Sequence, residues 1–170
     1  MSQVADQLSR SIPVLRLSKK ADYSLMALQY ITSVQYGAVP GRVVNTKEIA
    51  EEYNIPTELL AKVLQTLAKH GLIESQNGPK GGYSVARPAA EITIAQVLEA
   101  IEGPIGITDC YHDSASVCVQ QEHCNIRTPL LKVQESIYQL LNSMTIKDMM
   151  GDAAPLITVQ SLSTVQGADR

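Results

Sequence analysis

Three cysteines, the only ones in a chain of 170 residues, lie close together in its second half. Seven residues separate Cys110 from Cys118, and five separate Cys118 from Cys124. Grouped thiolates are the soft ligands that iron–sulfur clusters and zinc select. Structural zinc sites mostly use cysteine pairs about two to four residues apart, so these wider gaps favour a larger cluster. The segment therefore predicts a metal centre, with an iron–sulfur cluster as the first hypothesis.

Three thiolates leave at least one ligand position open, and the same residues permit other interpretations. Nearby candidates for a fourth ligand are Asp109, His112, Glu122 and His123, or a residue of a partner subunit. The cysteines could instead form a metal-free redox switch, or be three unrelated thiols. An odd number of cysteines argues against a closed disulfide framework. Because the N-terminal residues lack the apolar core of a signal peptide, we expect a cytoplasmic protein with reduced thiols.

The elements that would position these cysteines begin with two helices joined by a short turn. Asn45 or Thr46 can cap a helix over residues 47–53. After a short break, Thr57 can cap a second helix, which Gly71 ends. The apolar stripe of the second helix is formed by Leu60, Val63, Leu64 and Leu67. Two helices in this order predict a helix-turn-helix.

A glycine-rich hairpin follows the second helix. Residues 72–75 and 83–86 are typical of two short strands around the turn sequence QNGPKGG. A β-hairpin in this place is the wing of a winged helix. Two further helices flank this unit: the first begins at Ser18 and stops at Gly37, and the other covers residues 91–102, with Thr93 as its expected cap.

A long helix follows the cysteines and is apolar enough to need a partner. Pro129 suits its first turn, and the helix extends to about Met144. Its apolar side is formed by Leu130, Val133, Ile137, Leu140, Leu141 and Met144. We therefore predict a mainly α fold, namely a winged helix-turn-helix with a β-hairpin wing and a long C-terminal dimerisation helix.

The domain organisation follows from these elements. We expect a flexible N-terminus over residues 1–14, a winged-helix DNA-binding domain over 15–104, a cysteine loop over 105–128, the dimerisation helix over 129–150 and a disordered tail over 151–170.

The second helix of the helix-turn-helix has a polar outer face that could read a DNA major groove. Lysine can contact guanine, glutamine can pair with adenine, and glutamate can accept from cytosine. The start of the first helix could hold a phosphate, and the tip of the hairpin could reach the minor groove. The residues predicted to contact DNA are Ser18, Lys19, Lys20, Tyr23, Thr46, Thr57, Glu58, Ala61, Lys62, Gln65, Lys69 and Lys80. Each could also be ordinary solvated surface.

The charge distribution is compatible with DNA at one end of the molecule. The net charge is −3, but residues 1–88 carry 10 basic and 7 acidic side chains, whereas residues 89–170 carry 4 and 10. No apolar run approaches the length of about 20 residues that a membrane helix needs. No arrangement of nucleophile, base and phosphate loop suggests catalysis, so we expect neither an enzyme nor a small-molecule substrate.

The chain resembles the iron–sulfur winged-helix transcription regulators of the IscR and NsrR type, and more closely the SUF-system iron–sulfur assembly regulators. The matching stretches are LRLSKKADYSLMAL, NTKEIAEEYNIPTELLAKVLQTLAKHGLIES, GPKGGYSVARP, ITIAQVLEAIEGPIGITDC and CNIR. They cover residues 15–127 almost continuously, and the final helix matches too.

The resemblance implies a homodimer whose Cys110, Cys118 and Cys124 bind a cluster, with 2Fe–2S preferred over 4Fe–4S. Some members take a fourth, carboxylate ligand from the first helix of the other subunit, and Asp22 matches that residue. Asp22 could also simply stabilise its helix start. Other members use a histidine three residues after the last cysteine, where this chain has Arg127. The first cysteine gap is also two residues longer than in IscR-like members.

The resemblance further implies control of DNA binding by the cluster. We expect a repressor of iron–sulfur assembly or stress genes that binds a palindromic operator in double-stranded DNA. The alternatives on the same fold are a metal-free cysteine redox switch and a zinc-stabilised regulator. A protein–protein adaptor without DNA binding is a further possibility from another class.

Overall fold

The computed structural model describes residues 17–37, 41–78, 81–107 and 120–151. Their helices are α1 (Lys19–Gln35), α2 (Thr46–Tyr53), α3 (Thr57–Lys69), α4 (Ile94–Glu102) and α5 (Arg127–Ser143), and their strands are β1 (Ile73–Gln76) and β2 (Gly82–Val85). This is the predicted mainly α, winged helix-turn-helix architecture. Within these ranges, no helix combines the length and apolar character needed to span a membrane. The proposed N-terminal segment and most of the proposed tail lie outside the described residues.

Helix α1 is the centre of the fold and lies against α3, α4 and β2. Ser18 caps it, because its Oγ accepts a hydrogen bond of 3.3 Å from the backbone N–H of Ala21. Leu25, Leu28 and Ile31, which recur at helical spacing, are all buried. Since α1 packs against two helices and one strand of the wing, its tilt sets the frame of the winged helix.

The helix-turn-helix forms as predicted, with one correction. Asn45 caps α2 by accepting from the N–H of Glu48 at 2.9 Å, and Asn54 ends α2 in the left-handed conformation. The predicted cap of α3, Thr57, is instead its first residue, and Pro56 occupies the cap position without a side-chain hydrogen bond. The carbonyl of Pro56 already accepts from residues 59 and 60, so the helix starts one residue earlier than expected.

The wing is an antiparallel pair in which Ile73 faces Val85 and Gln76 faces Gly82. Each strand is displaced by one residue from its predicted range. The other edge of β2 is also covered, because Val44 exchanges two backbone hydrogen bonds of 2.9 and 2.8 Å with Tyr83. Residues 79–80 at the tip, including Lys80, lie outside the described residues.

Helix α5 is attached to the winged helix at its far end. It begins at Arg127, two residues before Pro129, which is tolerated because the first N–H groups of a helix have no partner within it. After α5 the chain turns back, and the N–H of Ile146 donates to the carbonyl of Ile92 at 2.9 Å. The side chain of Ile146 is 0% exposed in the core of the winged helix. The last turn of the described chain thus attaches α5 to the winged helix.

We predict that Ile146→Ala lowers the free energy of unfolding by about 2–5 kcal/mol, because it leaves a cavity in a fully buried position. Urea denaturation followed by circular dichroism measures the change. Ile146→Val, which removes one methyl group, is the graded control and should cost about 0.5–1.5 kcal/mol. Equal stability of Ile146→Ala and the wild type would contradict the attachment.

Candidate nucleic-acid interface and metal centre

The outer face of α3 is open to solvent. The predicted inner residues Leu60, Val63, Leu64 and Leu67 are buried, while Thr57, Glu58, Lys62, Gln65 and Lys69 are exposed and Ala61 is half-buried. Among the described residues, nothing pairs with the side-chain heads of Lys62, Gln65 or Lys69. These three side chains are therefore free to enter a DNA groove. Their contact with DNA stays a prediction.

The start of α1 is more occupied than the sequence suggests. The hydroxyl of Ser18 donates a hydrogen bond to a carboxylate oxygen of Glu102, at the end of α4. Lys19 and Lys20 are exposed, whereas Tyr23 is half-buried against the core. A phosphate at this helix start would therefore meet a carboxylate beside the two lysines. Sequence analysis missed Glu102, because no local signal links residues 84 positions apart.

The angle of α2 on α1 is fixed by a small polar cluster around Glu48. The hydroxyl of Tyr30 donates to Glu48 at 3.0 Å, and Arg42 donates to the same carboxylate at 2.9 Å. Burial, and then the hydrogen bond to Glu48, raises the pKa of Tyr30 above its ordinary value, so the phenol remains a donor. The ring of Tyr30 also meets Tyr53 edge to face, with centroids 5.9 Å apart. Thr46, predicted to contact DNA, is half-buried at the start of α2.

The wing is joined to α1 by a side chain that the sequence did not single out. The Oε1 of Gln35 accepts from the backbone N–H of Val85 at 2.8 Å. Gly82 permits the close approach of Val44, because a Cβ at Gly82 would lie 2.6 Å from the Val44 carbonyl oxygen. Gly82, at the turn end of the hairpin, therefore has a structural role whether or not the wing touches DNA.

We predict that Gly82→Ala costs about 1–3 kcal/mol of stability, since backbone atoms on both sides of the contact must separate. The displaced wing should also weaken DNA binding. Urea denaturation and a DNA titration of the same protein check both effects. Gly151→Ala, where an added Cβ meets no described residue within 4 Å, is the matched control. Unchanged stability in both variants would overturn this account of the wing.

Only part of the predicted metal centre lies in the described residues. Cys110 and Cys118, together with Asp109 and His112, fall outside them. Cys124 is a free, half-buried thiol directly after the short 3₁₀ turn Gln121–His123 and close to the start of α5. The described residues contain no group of three possible metal ligands. A free sulfur donor at this point fits a soft metal or a cluster, but it does not by itself define one.

Asp22 is half-buried in the first turn of α1. Its backbone N–H donates to the carbonyl of Ser18 at 3.0 Å, while nothing in the described ranges bonds to its carboxylate. Ser18 in turn contacts Glu102, and the cysteine segment begins shortly after α4 ends. Asp22 thus lies at the end of the winged helix from which the cysteine segment departs. Its role as a ligand stays a prediction.

The apolar side of α5 is divided between two environments. Leu130, Ile137 and Leu141 are half-buried, Leu141 packs against the core of the winged helix, and α5 lies against α4. Val133 and Leu140, which were predicted on the same side, are 47% and 40% exposed. The predicted single stripe is therefore a wider surface, of which one edge covers the core and the other faces solvent.

The fold and the open outer face of α3 define a winged-helix transcription regulator. Residues 17–152 match the Rrf2 family, which is described as an iron-dependent transcriptional regulator family, and the chain belongs to this family. The predicted resemblance to IscR- and NsrR-type regulators is thereby confirmed at the level of the family, while the SUF branch stays a prediction.

Individual relatives agree with this assignment. The chain is 28% identical over 151 residues to the regulator NsrR of Oceanobacillus iheyensis, covering 89% of this chain and 100% of that one. It is 27% identical to NsrR of Bacillus subtilis, with coverages of 80% and 90%. The solved structure of CymR, the global cysteine regulator of B. subtilis, superposes with a TM-score of 0.64 at 24% identity, covering 80% of this chain and 96% of that one. These relatives are regulators, as expected for a chain that is not an enzyme.

Proposed function

We propose that this protein is a homodimeric repressor whose binding to a palindromic operator is controlled by an iron–sulfur cluster. The observation that carries the proposal is the connection made by α5. Cys124 precedes the start of this helix, and Ile146, just beyond its end, is buried in the DNA-binding domain. A change at the cysteines could therefore be transmitted through α5 to the winged helix, which contains the proposed recognition helix α3.

The metal part of the proposal depends on the donor set. Three thiolates from Cys110, Cys118 and Cys124 would hold the cluster, which supplies reversible one-electron chemistry when bound. Asp22 of the partner subunit is our choice for the fourth ligand, since its carboxylate is unengaged in the described residues. Arg127 cannot replace the histidine of other members, because a guanidinium does not lose its proton in proteins. The description of the family as iron-dependent supports iron over zinc, and 2Fe–2S is preferred over 4Fe–4S by resemblance.

The DNA part of the proposal depends on α3 and on symmetry. A two-fold dimer would present two copies of α3, and we expect their separation to match half-sites about one helical turn apart. The exposed apolar edge of α5, with Val133 and Leu140, provides a surface for a second copy of the chain. Iron–sulfur assembly or stress operons are the expected targets, in the cytoplasm.

The proposal is tested by purifying the full chain without oxygen and measuring iron, sulfide and visible absorption. Operators are then selected from a random duplex library, and binding is titrated at several salt concentrations. Near-equal iron and sulfide, with different operator affinity of the loaded and the empty protein, supports the proposal. Colourless protein with zinc, or with a reversible disulfide, would instead support one of the two alternatives on this fold.

On a selected operator, we predict that Gln65→Ala loses about 1–3 kcal/mol per half-site and relaxes the preference at one base pair. Lys62→Ala should reduce the slope of log affinity against log salt by about 1 per subunit if it contacts a phosphate. Lys132→Ala removes the same charge from an exposed position on α5 and serves as the control. If Gln65→Ala and Lys62→Ala both bind like Lys132→Ala, α3 is not the recognition helix.

A further inference from the structure

A buried glutamine on α5 holds the chain that enters the cysteine segment. Gln134 is 2% exposed, and it is the only buried residue of this helix. Its Nε2 donates to the carbonyl of Ile105 at 2.6 Å, and its Oε1 accepts from the N–H of Ile107 at 2.9 Å. One side-chain amide thus pairs with two peptide groups on the same edge of the chain, as a neighbouring strand would.

This arrangement has a cost that packing alone does not explain. A primary amide is expensive to bury unless it is hydrogen-bonded. A leucine at position 134 would fill a similar space between α5 and the core without that cost. The two hydrogen bonds instead fix one particular backbone segment, residues 105–107, on the surface of α5.

The position of the clamp matters because α5 also holds the other end of the cysteine segment. Ile107 lies three residues before Cys110, and Cys124 lies three residues before Arg127, where α5 begins. Gln134 and Arg127 are seven residues apart, which is about 10 Å along a helix. The same helix therefore sets the distance between the entry and the exit of the segment with all three cysteines.

We propose that Gln134 is a positioning residue for the cluster: by clamping residues 105–107 it brings the first cysteine ligand into reach of the last. This inference rests on the function proposed above. Holding both ends of a loop removes closure entropy before the ligands bind, so the cluster is held more tightly. The same two hydrogen bonds connect the occupied loop to α5, and through Ile146 to the DNA-binding domain.

The inference is tested with Gln134→Leu, which keeps a side chain of similar volume but loses both hydrogen bonds. The full chain is reconstituted without oxygen, and the decay of its visible absorption is followed after a chelator is added. We expect the cluster of Gln134→Leu to be lost about 10–100-fold faster, as for other residues that orient metal ligands. Gln29→Leu, which loses a comparable bond of 3.0 Å to the carbonyl of Met149, should decay like the wild type.

Two further variants separate positioning from general stability. Gln134→Glu should recover much of the lifetime, because a carboxyl buried there takes up a proton and again donates to Ile105. Ile107→Pro removes the N–H donor without changing α5, and it should behave like Gln134→Leu. It also serves as the test if Gln134→Leu does not fold.

The outcomes distinguish the two proposals. If the wild type binds no iron, the proposed function fails, and the inference fails with it. If the wild type holds a cluster and both Gln134→Leu and Ile107→Pro release it at the wild-type rate, only the inference fails. Rapid loss in these two variants, together with wild-type behaviour of Gln29→Leu, supports the inference.

Discussion

We expect Cys124→Ala to yield a colourless protein with no bound iron or sulfide, and an operator affinity that no longer depends on prior reconstitution. We expect complete loss of the cluster, because the two remaining cysteines provide too few ligands and the segment contains no further cysteine. The residue is half-buried and free in the structure, so the substitution by a smaller side chain should leave the fold intact. Iron and sulfide assays, visible absorption and a DNA titration before and after reconstitution measure the effect.

His123→Ala is the matched control for this experiment. His123 is the neighbouring exposed residue, and its imidazole could also bind a metal. We expect its variant to retain the iron, the colour and the dependence of DNA binding on reconstitution. Retention of a full cluster by Cys124→Ala would overturn the three-cysteine ligand set, and loss of iron in His123→Ala would identify an additional ligand.

We expect the double substitution Val133→Glu with Leu140→Glu to convert the proposed dimer to a monomer and to lower the affinity for a full operator by about 100-fold or more. The two residues are seven positions apart and both are exposed apolar side chains on α5, so they lie on the same side of the helix. Burying four carboxylates in one dimer interface is strongly unfavourable. A monomer also loses the second half-site, and with it the gain from bivalent binding.

Light scattering gives the oligomeric state, and titration of full and half operators gives the affinities. Lys132→Glu is the control, since it changes the net charge by the same two units at an exposed position on the same helix. Lys132→Glu should remain a dimer, and its affinity for the full operator should be nearly that of the wild type. A dimeric double variant would show that another surface joins the two copies.

Much of the fold could be predicted from short stretches of sequence. Ser18, Asn45 and Thr93 were expected to cap helices, and each does so with its own side-chain oxygen. The apolar stripe of α3 and the order of helix-turn-helix and hairpin were confirmed as well. These features depend on interactions between residues three or four positions apart, which the sequence displays directly. The cysteine spacing likewise indicated soft-metal chemistry without reference to any contact.

The remaining features depend on contacts between distant parts of the chain. Three contacts join residues that no local pattern relates. They are the hydrogen bond from Ser18 to Glu102, the burial of Ile146 against the winged helix, and the two hydrogen bonds of Gln134 with Ile105 and Ile107. Gln134 is buried because of its position on α5, although its polar side chain by itself predicts exposure. A polar side chain is stable in a core only where specific partners satisfy it, and those partners exist only after the elements have packed. The sequence by itself determined the helices and strands and predicted the soft-metal chemistry of the cysteines, whereas the tertiary structure decided how α5 is attached to the winged helix.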